Sequence, residues 1–447
     1  MTVSPDNKPP QLAQTAVVGA SIAGLLTARV LSEFSGQVVL VDRDRLPQES
    51  APRRGVPQSV QPHVLLTRGY RILEALFPNI GKDLAAAGAI PIDWGRDFRY
   101  YHQGGWNATC AEASDLRSYT CTRYLLEAVI RSRVAQLPNV QWIEEARVCG
   151  LTGNGGQVTG VRYRPSGQKQ SACLQADLVI DASGRGSNAT QWLEELSAPV
   201  PEATVVNANL GYATQRLRLP QDWPGHCKVM LVSQRAPDNP RLGYLAQVEG
   251  GEWIATLGGY SKVFPPLEQG TFLDFAAHLE DAAFYEAIKA AQPVSDIKAH
   301  RATANRLYHY ERLPMPAGFA VIGDAVCALC PVYGQGMTVS ALSALVLRDW
   351  LSRAKQPLAT SHFQQKLAKA IQFPWGVAAG SDSKFLASQG AAPTNPAAAL
   401  LQKYMARLIH KSKQEDWVNI RFTEVAHMVK PPAALFAPRL VWKALRP

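Results

Sequence analysis

The sequence predicts an α/β fold. It reads as a discontinuous, Rossmann-like nucleotide-binding domain carrying an inserted antiparallel-sheet domain, followed by a helical carboxyl-terminal region. Three observations carry this. A strand, glycine-rich turn, helix and second strand open the chain at Ala16–Asp42; an apolar strand running into a second glycine-rich loop lies far downstream at Gly318–Met337; and residues 203–260 alternate apolar and polar side chains. Two cofactor-type loops so distant in sequence must be brought together by one fold. The segment between them therefore reads as an insertion.

Residues 1–14 are polar and proline-containing and read as a disordered lead rather than a signal peptide, which needs an apolar centre. Ala16–Gly19 forms the first strand. In GASIAG, Gly19 makes the tight turn, Ser21 and Ala23 are small, and Gly24 permits close helix packing, so a pyrophosphate can sit on the helix N-terminus. Asp42 ends the second strand, about 20 residues beyond the turn, where a carboxylate accepts from adenosine ribose hydroxyls, with Arg43 beside it. Arg43–Leu66 carries four prolines and reads as a long extended loop leading to a helix at about 64–77. The aromatic-rich stretch 89–119 suggests short strands, and Leu125, Leu126, Val129, Ile130 and Val134 recur at helical spacing. DLVIDASGRGS (177–187) is a buried strand ending in a third glycine-rich turn, with Asp181 and Gly184 as candidate contacts. KVMLVS, LGYLAQV and EWIATLGGY predict antiparallel strands, and a helical stretch follows at about 271–291.

The downstream loop carries the chemistry. Phe319–Ile322 ends on Gly323-Asp324, and Asp324 at the end of a buried strand can accept a hydroxyl hydrogen bond. Pro331, Gly334, Gln335, Gly336 and Met337 then lead into an apolar, alanine-rich helix. Backbone N–H groups at such a helix start approach a flat or anionic ligand closely. The loop suits the ribityl chain and ring edge of a flavin. These features divide the chain into a cofactor domain (15–88, 120–200 and 301–350), a substrate domain (89–119 and 203–300) and a helical region (351–447).

Composition narrows the function classes. The formal charge is +10, yet basic residues are dispersed without runs of five or aromatic interleaving, which argues against nucleic acid. No apolar run is long enough to span a membrane. Seven scattered cysteines point to a reducing, cytoplasmic setting. Cys327 and Cys330 form a C-x-x-C, but without a second such pair or matching histidines they read as packing residues, and no metal is expected. His63, alone beside an apolar helix, reads as structural.

With these three turns in place, the chain resembles the two-domain flavoprotein monooxygenases of the para-hydroxybenzoate hydroxylase and squalene epoxidase type. It is most similar to the bacterial subgroup that includes flavin epoxidases of polyether biosynthesis. The resemblance rests on GASIAGLLTARVL (19–31), VDRDRLP with RRGVPQ (41–58), PHVLL (62–66), CTRYLLEAVIRSRV (121–134), DLVIDASGRGS (177–187), EWIATLGGY (252–260) and GDAVCALCPVYGQGMTV (323–339). It implies noncovalent FAD, with Arg123 clamping the pyrophosphate, Asp324 holding the ribityl chain, and Pro331–Gly336 beside the pyrimidine ring. Arg54 and Gln58 match a segment near the isoalloxazine. It also implies transfer of one oxygen atom from a flavin C4a-hydroperoxide to a lipophilic alkene or electron-rich ring. Trp253, Tyr260 and Tyr244 would then either wall the substrate pocket or pack the core.

One departure concerns the reductant. Ser183 and Thr190 stand where hydroxylases of this type carry an Asp and an Arg tied to NADPH, so the electron source is NADPH used slowly or a separate flavin reductase. Competing readings are a halogenase, a prenyl- or polyketide-directed dehydrogenase or reductase, and a nonenzymatic flavin-binding protein; the Trp-x-Trp-x-Ile-Pro and Tyr-x-Trp-x-Phe-Pro segments expected of the halogenases and prenyl reductases are absent. The last residues, VKPPAALFAPRLVWKALRP from Val429, mix apolar and cationic side chains; packing against the body is the first reading and a weak membrane contact the second.

Overall fold

The computed structural model describes residues 12–387, apart from Pro224, and 396–445. Its first layer is a five-stranded sheet in the order Phe319–Val321, Leu178–Asp181, Leu12–Val18, Ser35–Val41 and Val140–Ile143, with every neighbouring pair parallel. These strands are near-continuous apolar runs because parallel sheets are covered on both faces. The first strand begins at Leu12, so the last three residues of the expected lead belong to it; residues 1–11 lie outside the described residues.

Register fixes where the cofactor loops meet. Val18 stands opposite both Asp181 and Val41, and Asp181 stands opposite Val321. Four strands therefore end level. The Gly19 turn, Asp42, the Ser183–Gly186 turn and the Gly323–Asp324 turn all open along one edge, where ligands of open α/β sheets bind. The helices Ile22–Leu31 and Gly336–Leu351 start from two of these loops and pack against each other.

The inserted layer is a seven-stranded sheet. Its order is Gln292–Pro293, Gly211–Arg218, Trp253–Gly259, Arg241–Gln247, Val229–Val232 and Phe98–Tyr101, with Lys298–His300 also pairing to Gly211–Arg218. It is antiparallel except at one edge, where Phe98–Tyr101 runs parallel to Val229–Val232. Period-two alternation gives its faces different jobs. Ala213 and Leu217 pack under the helices Gln269–Ala277 and Ala283–Ile288, with Phe272, Phe284 and Ile288. Tyr212 and Thr214 face the cofactor domain, and the Thr214 hydroxyl donates to Gln61 Oε1 at 2.6 Å. The single helical stretch expected at 271–291 is thus two short helices.

Two further departures concern the domain boundaries. Ala203–Val206 does not join the large sheet but pairs with Asn305–Tyr308, which in turn pairs with Cys327–Ala328. Ile90–Asp93 and Arg117–Thr120 form their own two-stranded sheet. The carboxyl-terminal region is helical, with Thr360–Ala387, Pro396–Ser412, Asp416–Ala426 and Pro438–Leu445. Leu435, Leu440 and Ala444 pack with Leu408, Val418 and Val425 of the neighbouring carboxyl-terminal helices. Phe436, Trp442 and Leu445, however, are 49%, 54% and 64% exposed. Among the described residues no helix is long and apolar enough to cross a membrane.

Candidate flavin site

The level strand ends border a cleft of 530 Å3, within the range of small-molecule and cofactor sites. The glycine-rich turn is built for close approach. Gly19 has φ of 95°, and a Cβ there would lie 2.8 Å from the Ala182 carbonyl oxygen; a Cβ on Gly24 would lie 1.8 Å from the Gly19 oxygen. Gly24 therefore seats the helix on the turn from behind and does not line the cleft, whereas Gly19, Ser21 and Ala23 do.

Next to the turn is a buried charge cluster. Asp42 Oδ2 accepts from the Ala20 N–H at 2.6 Å, and its Oδ1 accepts from Arg53 Nη1 at 3.0 Å. Arg53 also donates to Asp44 at 2.9 Å and, through Nε, to Glu127 at 2.8 Å. Glu127 accepts from Ser21 Oγ at 2.8 Å and from Arg123 Nη1 at 3.0 Å, while Arg123 Nη2 donates to Ser21 Oγ at 2.8 Å. Burial alone would raise Glu127, but Arg123 and Arg53 outweigh it and hold the carboxyl below its ordinary range. Arg123 thus sits at the turn, aimed by Glu127 one helical turn along.

At the downstream loop, Asp324, Pro331, Gly334, Gly336 and Met337 line the cleft. Gly323 and Gly334 have φ of 65° and 63°, which favours glycine at both. Asp324 has no hydrogen-bond partner among the described residues. Burial raises its pKa, against the pull of Arg185, Arg123 and Arg306. Gln335 is buried behind the loop and does not line the cleft. Arg185 donates to the carbonyls of Ala304 at 2.6 Å and Leu329 at 3.0 Å, bracing the loop's approach. Asp181 is fully buried and accepts from the Ser183 N–H at 2.9 Å and from the Ser187 hydroxyl; it shapes the third turn, and Gly184 carries the lining.

Several expectations need correction. Arg54 is exposed and absent from the cleft wall; its neighbour Arg53, with a side chain only 6% exposed, is the one turned inward. Gln58 and Arg43 do line the cleft. Trp253, Tyr260 and Tyr244 do not; Tyr212 and His300 form the substrate-sheet wall instead. Trp253 belongs to the core beneath the helices. His63 faces the cleft with Nδ1 on the Gln61 carbonyl at 2.9 Å, and burial with nearby Arg123 pushes its pKa down to about 3. Glu127, beside the turn, and Ala146–Val148, in the cleft wall, join the site without a sequence expectation. The Arg123–Glu127 spacing on one helix was a usable signal; nothing local pointed to Ala146–Val148, which the fold brings beside Asp42.

A parallel sheet with glycine-rich turns on one edge, a ribose-type carboxylate and an arginine at the turn defines a dinucleotide-cofactor protein. The chain belongs to the FAD binding domain family, matched over residues 12–356. It is 31% identical to a Mycobacterium tuberculosis protein, Rv3254, over 96% of this chain and 93% of that one. It is 26% identical to squalene monooxygenase SE2 of Panax ginseng and 27% identical to squalene epoxidase 1 of Arabidopsis thaliana, covering 80% and 76% of this chain but 60% and 59% of those longer enzymes. In fold it is similar to p-nitrophenol 4-monooxygenase of Pseudomonas putida (TM-score 0.66, 14% identity, 93% of this chain and 97% of that one) and to the myxobacterial chondrochloren halogenase (TM-score 0.62, 15% identity, 96% and 97%). The protein is a flavin-dependent oxidoreductase of the para-hydroxybenzoate hydroxylase and squalene epoxidase type.

The residues present fit FAD. The Gly19 turn leaves no room for a side chain, and Asp324 offers a carboxylate that accepts no hydrogen bond among the described residues. Asp42 and Arg123 would hold the ribose and pyrophosphate, Asp324 the ribityl hydroxyls, and the Pro331–Gly336 backbone the ring edge.

Proposed function

We propose that this protein transfers one oxygen atom of O2 to a lipophilic alkene or electron-rich ring, by epoxidation or hydroxylation. One observation carries the reading: the cofactor loop and the substrate sheet line the same cleft, and where they meet they contribute apolar and neutral side chains. Val64, Tyr212, Leu329, Cys330 and Met337 contribute to it beside two histidines. Burial pushes His63 down to about 3, and burial with nearby Arg185 also lowers His300, so both are neutral at pH 7. An uncharged ligand is desolvated into such a stretch at little cost.

Bound FAD supplies the two-electron chemistry and the activation of O2. The chain's own residues hold and shield it. Asp324 and Arg123 fix the cofactor, loop N–H groups oppose negative charge at the ring edge, and Tyr212 with the sheet excludes water. Ser183 and Thr190 favour slow use of NADPH or delivery by a separate flavin reductase. Exposed Phe436, Trp442 and Leu445 suit a weak contact with a lipid surface.

The test is oxygen labelling. Holoenzyme reduced by dithionite is mixed with 18O2 and a panel of neutral terpenoid alkenes and phenols, and products are weighed by mass spectrometry. One 18O per product is expected. Hydrogen peroxide alone across the panel would refute oxygenation; product formed without O2 would assign reduction if the reduced enzyme makes it and dehydrogenation if the oxidised enzyme makes it, and brominated product in added bromide would assign halogenation.

A further inference from the structure

Behind the cofactor loop, outside the cleft wall, lies a buried polar knot that the reading above does not use. Its centre is Asp382 on the long helix Thr360–Ala387, 1% exposed. Oδ1 accepts from the Tyr333 hydroxyl at 2.7 Å and from the Tyr260 hydroxyl at 3.1 Å. Oδ2 accepts from Asn305 Nδ2 at 2.7 Å. The Asn305 orientation is not free, because its Oδ1 accepts from the Cys330 N–H at 2.7 Å, which leaves the amide nitrogen to face Asp382. The tyrosine hydroxyls lie 3.5 Å apart, and the Tyr260 ring stacks on Phe385 of the same helix at 4.1 Å between centroids.

Each donor comes from a different part of the fold. Tyr333 belongs to the cofactor loop itself, between Pro331 and Gly334. Asn305 reaches the start of that loop at Cys330. Tyr260 follows the central strand Trp253–Gly259 of the substrate sheet. Among the described residues Asp382 has no cationic partner, so an all-donor shell of neutral groups holds the carboxylate. A buried carboxylate without a counter-ion is a costly way to pack a helix; one that joins three elements sets their relative position.

We propose that Asp382 is a positioning residue for the cofactor loop: from the carboxyl-terminal helix it pins Cys330–Gly336 against the substrate sheet, so that this helical region is part of the active-site apparatus. The assignment concerns the loop that faces FAD and is independent of the substrate.

Asp382→Asn keeps the shape but turns one acceptor into a donor facing other donors. The Cys330 thiol also donates to Asp382, so Tyr333→Phe removes the loop's hydroxyl bond and leaves the carboxylate Tyr260, Asn305 and that thiol. Amide hydrogen exchange of the apoprotein is followed at Cys330–Gly336, with the sheet strand Phe319–Val321 as internal control, and the visible circular dichroism of the FAD-loaded protein is compared. Both variants are expected to exchange at least tenfold faster in the loop with an unchanged control strand, and to alter the flavin band. A residue that only anchored its helix would lower the melting temperature and move neither signal. Loop exchange within twofold of wild type in folded Tyr333→Phe overturns the proposal, and that variant decides alone if Asp382→Asn does not fold.

Discussion

Replacing Asp324 by alanine separates cofactor binding from fold stability. Its carboxylate makes no hydrogen bond within the described chain, and burial holds its pKa above the ordinary carboxylate value even with Arg185, Arg123 and Arg306 nearby. The apoprotein therefore loses no intramolecular bond when the side chain goes. What is lost is one or two hydrogen bonds between a charged acceptor and ribityl hydroxyls, each about 1.5–3 kcal/mol. For one bond, FAD dissociation should weaken about 10- to 150-fold. Apoprotein titrated with FAD, read by quenching of flavin fluorescence, gives the affinity; thermal unfolding of the apoprotein gives the fold, with a melting temperature expected within about 2 °C of wild type. Affinity unchanged within twofold would refute the assignment, and so would an apoprotein destabilised by several degrees, which would make Asp324 a structural residue.

Three other outcomes follow from the same geometry. Arg53→Met should destabilise by about 3–5 kcal/mol because Asp42 and Glu127 lose a buried partner, whereas Arg54→Met should stay within about 0.5 kcal/mol; equal urea midpoints for the two variants would defeat the reassignment. His427 is buried against Trp94, with Nδ1 accepting from the Thr67 N–H at 3.3 Å, and burial lowers its pKa to about 3. The unfolded chain takes up this proton below about pH 6.5 and the folded chain does not until about 3, so stability falls as pH drops through that window. His427→Gln should remove about 2 kcal/mol of the loss between pH 7 and 5, and an unaltered pH slope in urea titrations would contradict it. Because Ser183 and Thr190 replace the expected acidic and basic pair, stopped-flow bleaching of the flavin by NADPH without substrate should be slow, and rapid bleaching would show that reductant site to be intact.

Much of this was legible locally. Gly19, Asp42 and Asp324 announce themselves because a tight turn at positive φ and a carboxylate at a strand end are requirements of backbone geometry, which neighbouring residues impose. Arg123 and Glu127 share a helix face at a spacing the sequence displays, although only the first was read. The long apolar strands and the alternation in 203–260 foretell the two larger sheets, apart from Ala203–Val206, which pairs elsewhere, since burial on two faces or one dictates those patterns.

Other features depended on which surfaces meet. Arg53 and Arg54 are adjacent and chemically identical, and only the path of the proline-rich loop turns one toward Asp42 and the other to solvent. Tyr212 lines the cleft while Trp253 supports the core, because the insertion presents one face of its sheet to the cofactor domain, a relation that alternation alone leaves open. The segment FPWGVAAGSDSKF (373–385) assigns Asp382 no task by itself; its role comes from donors distant in sequence converging on one carboxylate. The sequence by itself determined the sheets, the glycine-rich turns and the cofactor, all products of short-range steric and periodic rules. Tertiary structure alone decided which side chains converge on the cleft and on Asp382, because those contacts depend on how separately formed layers pack.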